Sequence, residues 1–315
     1  MKDKVIQSNK LRVLLLEGLH TIAIENFKNQ MYEVESLQNS LTVDQLKDKI
    51  KDIRIIGIRS KTQLNREVLL NANKLKAIGC YCIGTDQVDL ETAQELGIIV
   101  FNSPFANSRS VAELVMGEII MLSRKVFENN NKMHNGIWNK TAKDCNEIRG
   151  KTLGIIGYRH VGTQVSLLAE SFSMNVQYYD IEDKLPLGNA KPNHNLENLL
   201  RTSDYVTLHV PKTEQTSNMI TKKELEMMPK GSYLLNLSRG SVVNINDLAE
   251  YIKNGHLGGC AVDVYPSEPK ENGPNFVTPL QGSFNTILTS HIGGSTSEAQ
   301  EAIGKEVTHK IIKYM

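Results

Sequence analysis

Short apolar runs punctuate the chain at RVLLLE (12–17), IRIIGI (53–58), LKAIG (75–79), GIIVF (97–101) and TLGIIG (152–157). More follow at NVQYYD (175–180), DYVTLHV (204–210), SYLLNL (232–237), GCAVDV (259–264) and TILTS (286–290). Such runs, without strict alternation, predict strands buried on both faces. The segments between them carry helical spacing, which predicts βαβ units and parallel sheets. The strands are too many for one ordinary sheet, and a boundary is expected near Pro104. Beyond it, RSVAELVMGEIIMLSRKVFENNNKMHNGIW predicts a long helix starting near Ser110. Its apolar stripe is Val111, Leu114, Val115, Ile119 and Leu122. Core packing explains that stripe as well as contact with a second copy of the chain does. A second βα series begins at Thr152, and SEAQEAIGKEVTHKIIKYM closes the chain as a helix. Periodicity does not decide which series that last helix packs on.

Length and charge narrow the function. At roughly 100–200 residues per domain, 315 residues make about two domains. Lys and Arg number 36 and Asp and Glu 35, a formal net charge of +1. That balance argues against a nucleic-acid partner and against attraction to an anionic membrane surface. No apolar run reaches the roughly 20 residues that span a bilayer. The N-terminal MKDKVIQSNK is charged and has no apolar stretch, so no secretory signal is expected. Cys80, Cys82, Cys145 and Cys260 are too few for a disulfide framework and point to a reduced cytoplasm. Cys80 and Cys82 read as small core hydrophobes, and no metal site is expected.

The strongest local signal is LGIIGYRHVG (153–162), a strand running into a turn and then the helix TQVSLLAESF. Gly157 and Gly162 stand at the first and third glycines of a dinucleotide fingerprint. Asp180, eighteen residues beyond Gly162, suits the adenosine ribose hydroxyls and favours NAD over NADP. Arg159 occupies the second glycine position, where the backbone normally approaches the pyrophosphate. Its side chain either crowds the phosphates and weakens binding or swings out and pairs with them.

Three further segments carry chemistry. LNLSRGSVVN places Arg239 just after a strand, VDVYPSEP places Asp263 at a strand end and Glu268 between prolines, and TSHIGGST places His291 before Gly293 and Gly294. Loops at the carboxyl ends of parallel strands line a common crevice, so these residues can converge. Each alone reads more readily as a surface or turn residue. Together they supply what hydride exchange with a 2-oxo acid needs. Arg239 is a permanent cation for the carboxylate and carbonyl, His291 an acid and base near neutrality, and Glu268 a carboxylate that orients the imidazole. A nicotinamide would carry the hydride.

These segments resemble the D-isomer-specific 2-hydroxyacid dehydrogenases, and within them the serine-pathway branch. The likeness covers nearly the whole chain. Its most specific strings are GCYCIGTDQVDL (79–90), FNSPFANSRSVAELVMGEII (101–120), MHNGIWNK (133–140), YYDIEDKLPLGNA (178–190) and SHIGGSTSEAQ (290–300). The resemblance implies an α/β protein of two Rossmann-like parallel-sheet domains, the cofactor domain inserted into a flavodoxin-like substrate domain. The substrate domain would be 1–103 plus 292–315, and the NAD-binding domain 104–291, with a cleft between them that closes on ligand. A dimerisation helix and loop at about 110–150, including Trp138, would make a cytoplasmic homodimer.

The implied reaction is NAD-dependent oxidation of 3-phospho-D-glycerate to 3-phosphooxypyruvate, with Arg239 binding substrate and His291, paired with Glu268, as acid and base. The implied cofactor residues are Gly157, Arg159, His160, Val161, Gly162, Asp180, Leu237, Ser238, Arg239, Asp263, His291, Ile292, Gly293 and Gly294, with His209, Val210 and Pro211 beside them. Arg59 foremost, with Ser60 and Lys61 secondary, would take the substrate phosphate; the alternative for that loop is a solvated basic turn. Another 2-oxo acid such as 2-oxoglutarate, or an NAD-sensing scaffold impaired by Arg159, remains the alternative. The chain stops at Met315 without the serine-binding regulatory domain of many relatives, from which a dimer without serine inhibition is expected.

Overall fold

The computed structural model describes residues 11–269 and 272–315, so the charged N-terminal decapeptide lies outside the described residues. The chain divides into two compact units, Met1–Asn107 with Thr296–Met315, and Ser108–Ser295. The second is therefore inserted into the first along the sequence.

The first unit holds β1 (Arg12–Leu15), α1 (Thr21–Asn29), β2 (Glu33–Ser36), α2 (Val43–Lys49), β3 (Ile55–Ile58), α3 (Arg66–Leu69), β4 (Ala77–Cys80), α4 (Leu90–Glu95) and β5 (Ile99–Asn102). The five strands are parallel, in the order β2-β1-β3-β4-β5. Successive strand residues point to opposite faces, and both faces are covered. Leu14, Ile56 and Ile78 pack with Leu46, Val68 and Ala93 on one side. Val13, Leu15, Ile55 and Ala77 pack with Phe27 on the other.

The terminal helix, Ser297–Tyr314, completes this second face with Ile303, Val307 and Ile311. It lies so close to α1 that a Cβ on Gly304 would stand 2.7 Å from Ile22 Cγ2. Tyr81 Oη and Thr308 Oγ1 are hydrogen-bonded at 2.7 Å, and Ser103 donates to Glu306 at 2.6 Å. The helix left unplaced by periodicity thus belongs to the first unit.

The second unit holds α5 (Ser108–Arg124), α6 (Val126–His134), β6 (Thr152–Ile156), α7 (His160–Ser171), β7 (Asn175–Tyr179), β8 (Lys191–Pro192), α8 (Leu196–Thr202) and β9 (Tyr205–Leu208). It continues through α9 (Lys222–Met227), β10 (Tyr233–Asn236), α10 (Ile245–Lys253), β11 (Gly259–Val262) and β12 (Thr286–Leu288). Its seven parallel strands run β12-β11-β10-β9-β6-β7-β8. Strand order reverses at β6, with β7 and β8 on one side and β9 onward on the other. The carboxyl end of β6 is therefore the topological switch point, where such sheets bind ligands.

Two predicted features are corrected. The expected single long helix is two helices. Lys125 has a left-handed φ of 49° and separates α5 from α6. The last carbonyls of α5 bond elsewhere: Leu122 O accepts from Asn285 Nδ2 at 3.2 Å and from Lys125 N–H at 3.2 Å. In addition, the sheets contain β2 and β8, which no apolar run announced. Both are edge strands. EVES in β2 is polar because its residues are half-exposed or exposed, and β8 is two exposed residues ending in proline.

The apolar stripe of α5 is spent inside its own unit. Val111, Val115, Ile119 and Leu122 are buried in the core with Leu153, Ile155, Val165 and Ala169, and Leu114 packs against that cluster. No helix among the described residues is long and apolar enough to cross a membrane.

Candidate active site

The switch-point turn is shaped by its glycines. Gly157 ends β6 with φ +93°, and a Cβ there would meet His209 O at 2.6 Å. Gly162 brings α7 onto the strand, since a Cβ would lie 2.1 Å from Gly157 O. Arg159 caps α7 with φ −105°, a conformation open to any residue, and makes no side-chain cap bond. The Arg159 side chain therefore does not cap the helix N-terminus, and the glycine turn into a helix fits a dinucleotide pyrophosphate. The Arg159 guanidinium turns to Glu182, with both side chains about half-exposed. Asp180, just past β7, accepts from Tyr158 N–H at 2.8 Å through Oδ2 and from Glu182 N–H at 3.0 Å through Oδ1. It therefore ties the glycine turn to the following loop. His160 and Val161 open α7, His160 exposed and Val161 half-buried against the core.

Arg239, Asp263, Glu268 and His291 follow β10, β11 and β12, whose register places their carboxyl ends side by side. The Arg239 turn is organised by Asn236: its Oδ1 accepts from Ser238 N–H and Oγ at 3.1 and 2.9 Å, and its Nδ2 donates to Arg239 O at 3.0 Å. Arg239 is half-buried, with Nη1 donating to Ser238 O at 2.7 Å, while Leu237 and Ser238 are buried.

Asp263 is 1% exposed and holds the His291 turn from beneath. Its Oδ1 accepts from Thr289 Oγ1 at 2.6 Å and Ile292 N–H at 2.8 Å, and its Oδ2 from Gly293 N–H at 2.9 Å. Its carbonyl accepts from His291 N–H at 2.8 Å. His291 has a left-handed φ of 55°, an uncommon conformation that these bonds maintain.

Glu268 meets His291 directly, Oε2 to Nδ1 at 2.7 Å, while its Oε1 accepts from Tyr265 N–H at 3.0 Å. That pairing raises the pKa of His291 against the opposing effect of burial. Burial alone would raise Glu268. The bonds from His291 and Tyr265 and the charges of His291 and Arg239 outweigh it, so its carboxyl titrates below the usual range. With Nδ1 directed at a carboxylate, Nε2 is the nitrogen left to exchange a proton with a ligand. His209 is different. Burial pushes its pKa down to about 3, so it stays neutral, hydrogen-bonded to Thr207 Oγ1 at 3.0 Å.

The other unit carries Arg59, Ser60 and Lys61 on the loop after β3. Two residues that sequence reading passed over also stand out. Glu17 is 9% exposed and binds three amides of that loop. Glu118 on α5 is fully buried, and both its carboxylate oxygens lack a hydrogen-bond partner among the described residues. Burial, with the Asp263 charge adding to it, pushes its pKa up to about 8. The signal for Glu118 was its position: it stands on the stripe of Val111, Val115 and Leu122, a carboxylate where an apolar residue belongs.

Comparison with known proteins agrees with this geometry. Residues 116–293 match the model of the D-isomer specific 2-hydroxyacid dehydrogenase NAD binding domain. D-3-phosphoglycerate dehydrogenase of Dictyostelium discoideum is 54% identical over 307 residues, 98% of this chain and 75% of that protein. The enzyme of that name from Escherichia coli K12 is 52% identical over 310 residues, 98% of this chain and 76% of that one. A solved structure of a Thermus thermophilus protein superposes with a TM-score of 0.86 at 29% identity, covering 96% of each chain. A switch-point glycine turn, an Arg–Glu–His set on adjacent strand ends and identity above one half along almost its whole length place this chain in the D-isomer specific 2-hydroxyacid dehydrogenase family.

Proposed function

We propose that the chain oxidises 3-phospho-D-glycerate to 3-phosphooxypyruvate with NAD, the entry step toward serine. The observation that carries the reading is the 2.7 Å His291–Glu268 pair beside Arg239. The names of the relatives at 54% and 52% identity support the substrate. NAD, when bound at the glycine turn through Gly157 to Gly162, Asp180, Leu237 to Arg239, Asp263 and His291 to Gly294, supplies the acceptor for the C2 hydride.

The chain's own residues do the rest. Arg239 binds the substrate carboxylate and the oxygen that becomes the carbonyl. His291 takes the hydroxyl proton at Nε2 as the C2 hydride leaves. Glu268 holds the ring through Nδ1 and stabilises the imidazolium that forms. Arg59 and Lys61, with Ser60 between them, provide the cationic seat for the phosphate. In the reverse direction the same His291 returns the proton.

We further propose a cytoplasmic homodimer. Phe127, Met133, Ile137 and Trp138, on α6 and the loop after it, are all exposed, Trp138 at 77%. Such a cluster suits a second copy of the chain.

The test is steady-state turnover with 3-phospho-D-glycerate and NAD, beside lactate and 2-hydroxyglutarate, for the parent chain and Arg59→Ala. Preference for the phosphorylated acid that Arg59→Ala abolishes supports the reading. Equal or better turnover of an unphosphorylated acid overturns it.

A further inference from the structure

We propose that Glu17 is a positioning residue that sets the backbone of the Arg59–Lys61 loop for the anionic substrate. The proposal rests on the reading of that loop as the phosphate seat.

Glu17 follows β1, next to β3 in the sheet. Its backbone is left-handed at φ 66°, followed by Gly18 at 59°, a conformation that a glutamate adopts at a cost. The turn is held by Glu17 N–H to Asn39 O at 3.3 Å and Gly18 N–H to Leu37 O at 3.0 Å. It delivers the carboxylate under the loop after β3. Oε1 accepts from Arg59 N–H at 3.1 Å and Thr62 N–H at 2.9 Å, and Oε2 accepts from Lys61 N–H at 3.0 Å. From the other side, Gln87 Nε2 donates to Arg59 O at 2.7 Å.

Amides bonded to a carboxylate are held more strongly than amides bonded to neutral acceptors. A loop of two cations and a serine, otherwise free to move with solvent, is thereby given one backbone conformation. Of the four amides from Arg59 to Thr62, only that of Ser60 has no hydrogen-bond partner among the described residues, and Ser60 is exposed. Glu17 thus holds three amides and leaves the fourth unpaired, on the exposed residue that stands between two cations in the sequence. A glutamine at 17 cannot hold all three, because its oxygen can accept from Arg59 and Thr62 but its NH2 would then meet the Lys61 N–H donor to donor.

A double-mutant cycle tests the proposal in the full chain. Glu17→Gln is expected to raise KM for 3-phospho-D-glycerate by about tenfold, the effect of losing one such interaction, with kcat changed less than about twofold and KM for NAD unchanged. In an Arg59→Ala background the same substitution is expected to add little, because Glu17 acts through the loop. Gln87→Ala, which releases Arg59 O, is the second variant should Glu17→Gln fail to fold, and it is expected to raise the same KM. Unchanged KM in Glu17→Gln while Arg59→Ala is impaired overturns the proposal and spares the phosphate seat. So does full additivity of the two substitutions, the mark of a merely structural role. Unchanged KM in Arg59→Ala overturns the seat itself, and the proposal with it.

Discussion

His291 and Glu268 set the pH behaviour at the scale of single residues. Glu268 keeps the imidazole protonated to higher pH, whereas the oxidation needs it neutral. The acid limb of kcat/KM for oxidation therefore reports His291, and Glu268→Gln is expected to move it to lower pH. For the reduction, which needs the protonated ring, the alkaline limb moves the same way. His291→Ala is expected to slow the chemical step by about 10²-fold or more, and normal turnover in it would remove His291 from the mechanism. Glu118 makes a second, independent prediction. Unfolded, it releases its proton near its ordinary 4.5, whereas folded it retains it to about 8. Between those values the folded state binds more protons, so stability is greatest below the lower one. It falls as pH rises, by about 1.4 kcal/mol per pH unit from this group. Urea unfolding across that window is expected to show the slope, and Glu118→Gln to flatten it. Arg239, Glu268 and His291 could be singled out in the sequence because their residue types are what the proposed chemistry demands. Glu17 was not, because three amides on one carboxylate exist only once β1 and β3 are neighbours.

Among the elements, the strand–turn–helix from β6 to α7 is where sequence and structure can be compared most closely. The glycine pattern located the turn, and the third glycine meets the need for close packing. Arg159 was open between two outcomes. Its backbone needs no glycine, and its guanidinium rests on Glu182 in solvent. Exposed ion pairs contribute about 0–1 kcal/mol, so Arg159→Gly is expected to change NADH affinity less than about fivefold by calorimetry. Binding only by the glycine variant would instead show the parent chain to be cofactor-impaired. The α5–α6 break shows the opposite case. Nothing in LSRKVFEN forbids a helix. The chain turns at Lys125 because Asn285, 160 positions later, takes the Leu122 carbonyl and Glu128 takes the Asn285 N–H.

For the molecule as a whole, the return of the terminal helix to the first unit is the main long-range event. Ile311 is buried against β4 and faces Gly79, whose added Cβ would stand 2.8 Å from Ile311 Cδ1. Ile311→Ala is expected to destabilise the first unit by about 2–5 kcal/mol. Hydrogen exchange should then quicken in β1, β3 and β4 but not in β6 or β10. The proposed homodimer is tested at Trp138: Trp138→Glu is expected to weaken self-association at least tenfold in sedimentation, and unchanged sedimentation would overturn that surface as an interface. The sequence by itself determined the parallel α/β class, the glycine turn after β6 and the residue types of the candidate site. Apolar period, glycine spacing and the acid–base character of a side chain are local properties. Tertiary structure alone decided the polar edge strands, the break at Lys125 and the burial of Glu17 and Glu118. Each of these depends on which distant segment supplies a hydrogen bond or excludes water, and no window along the chain contains that partner.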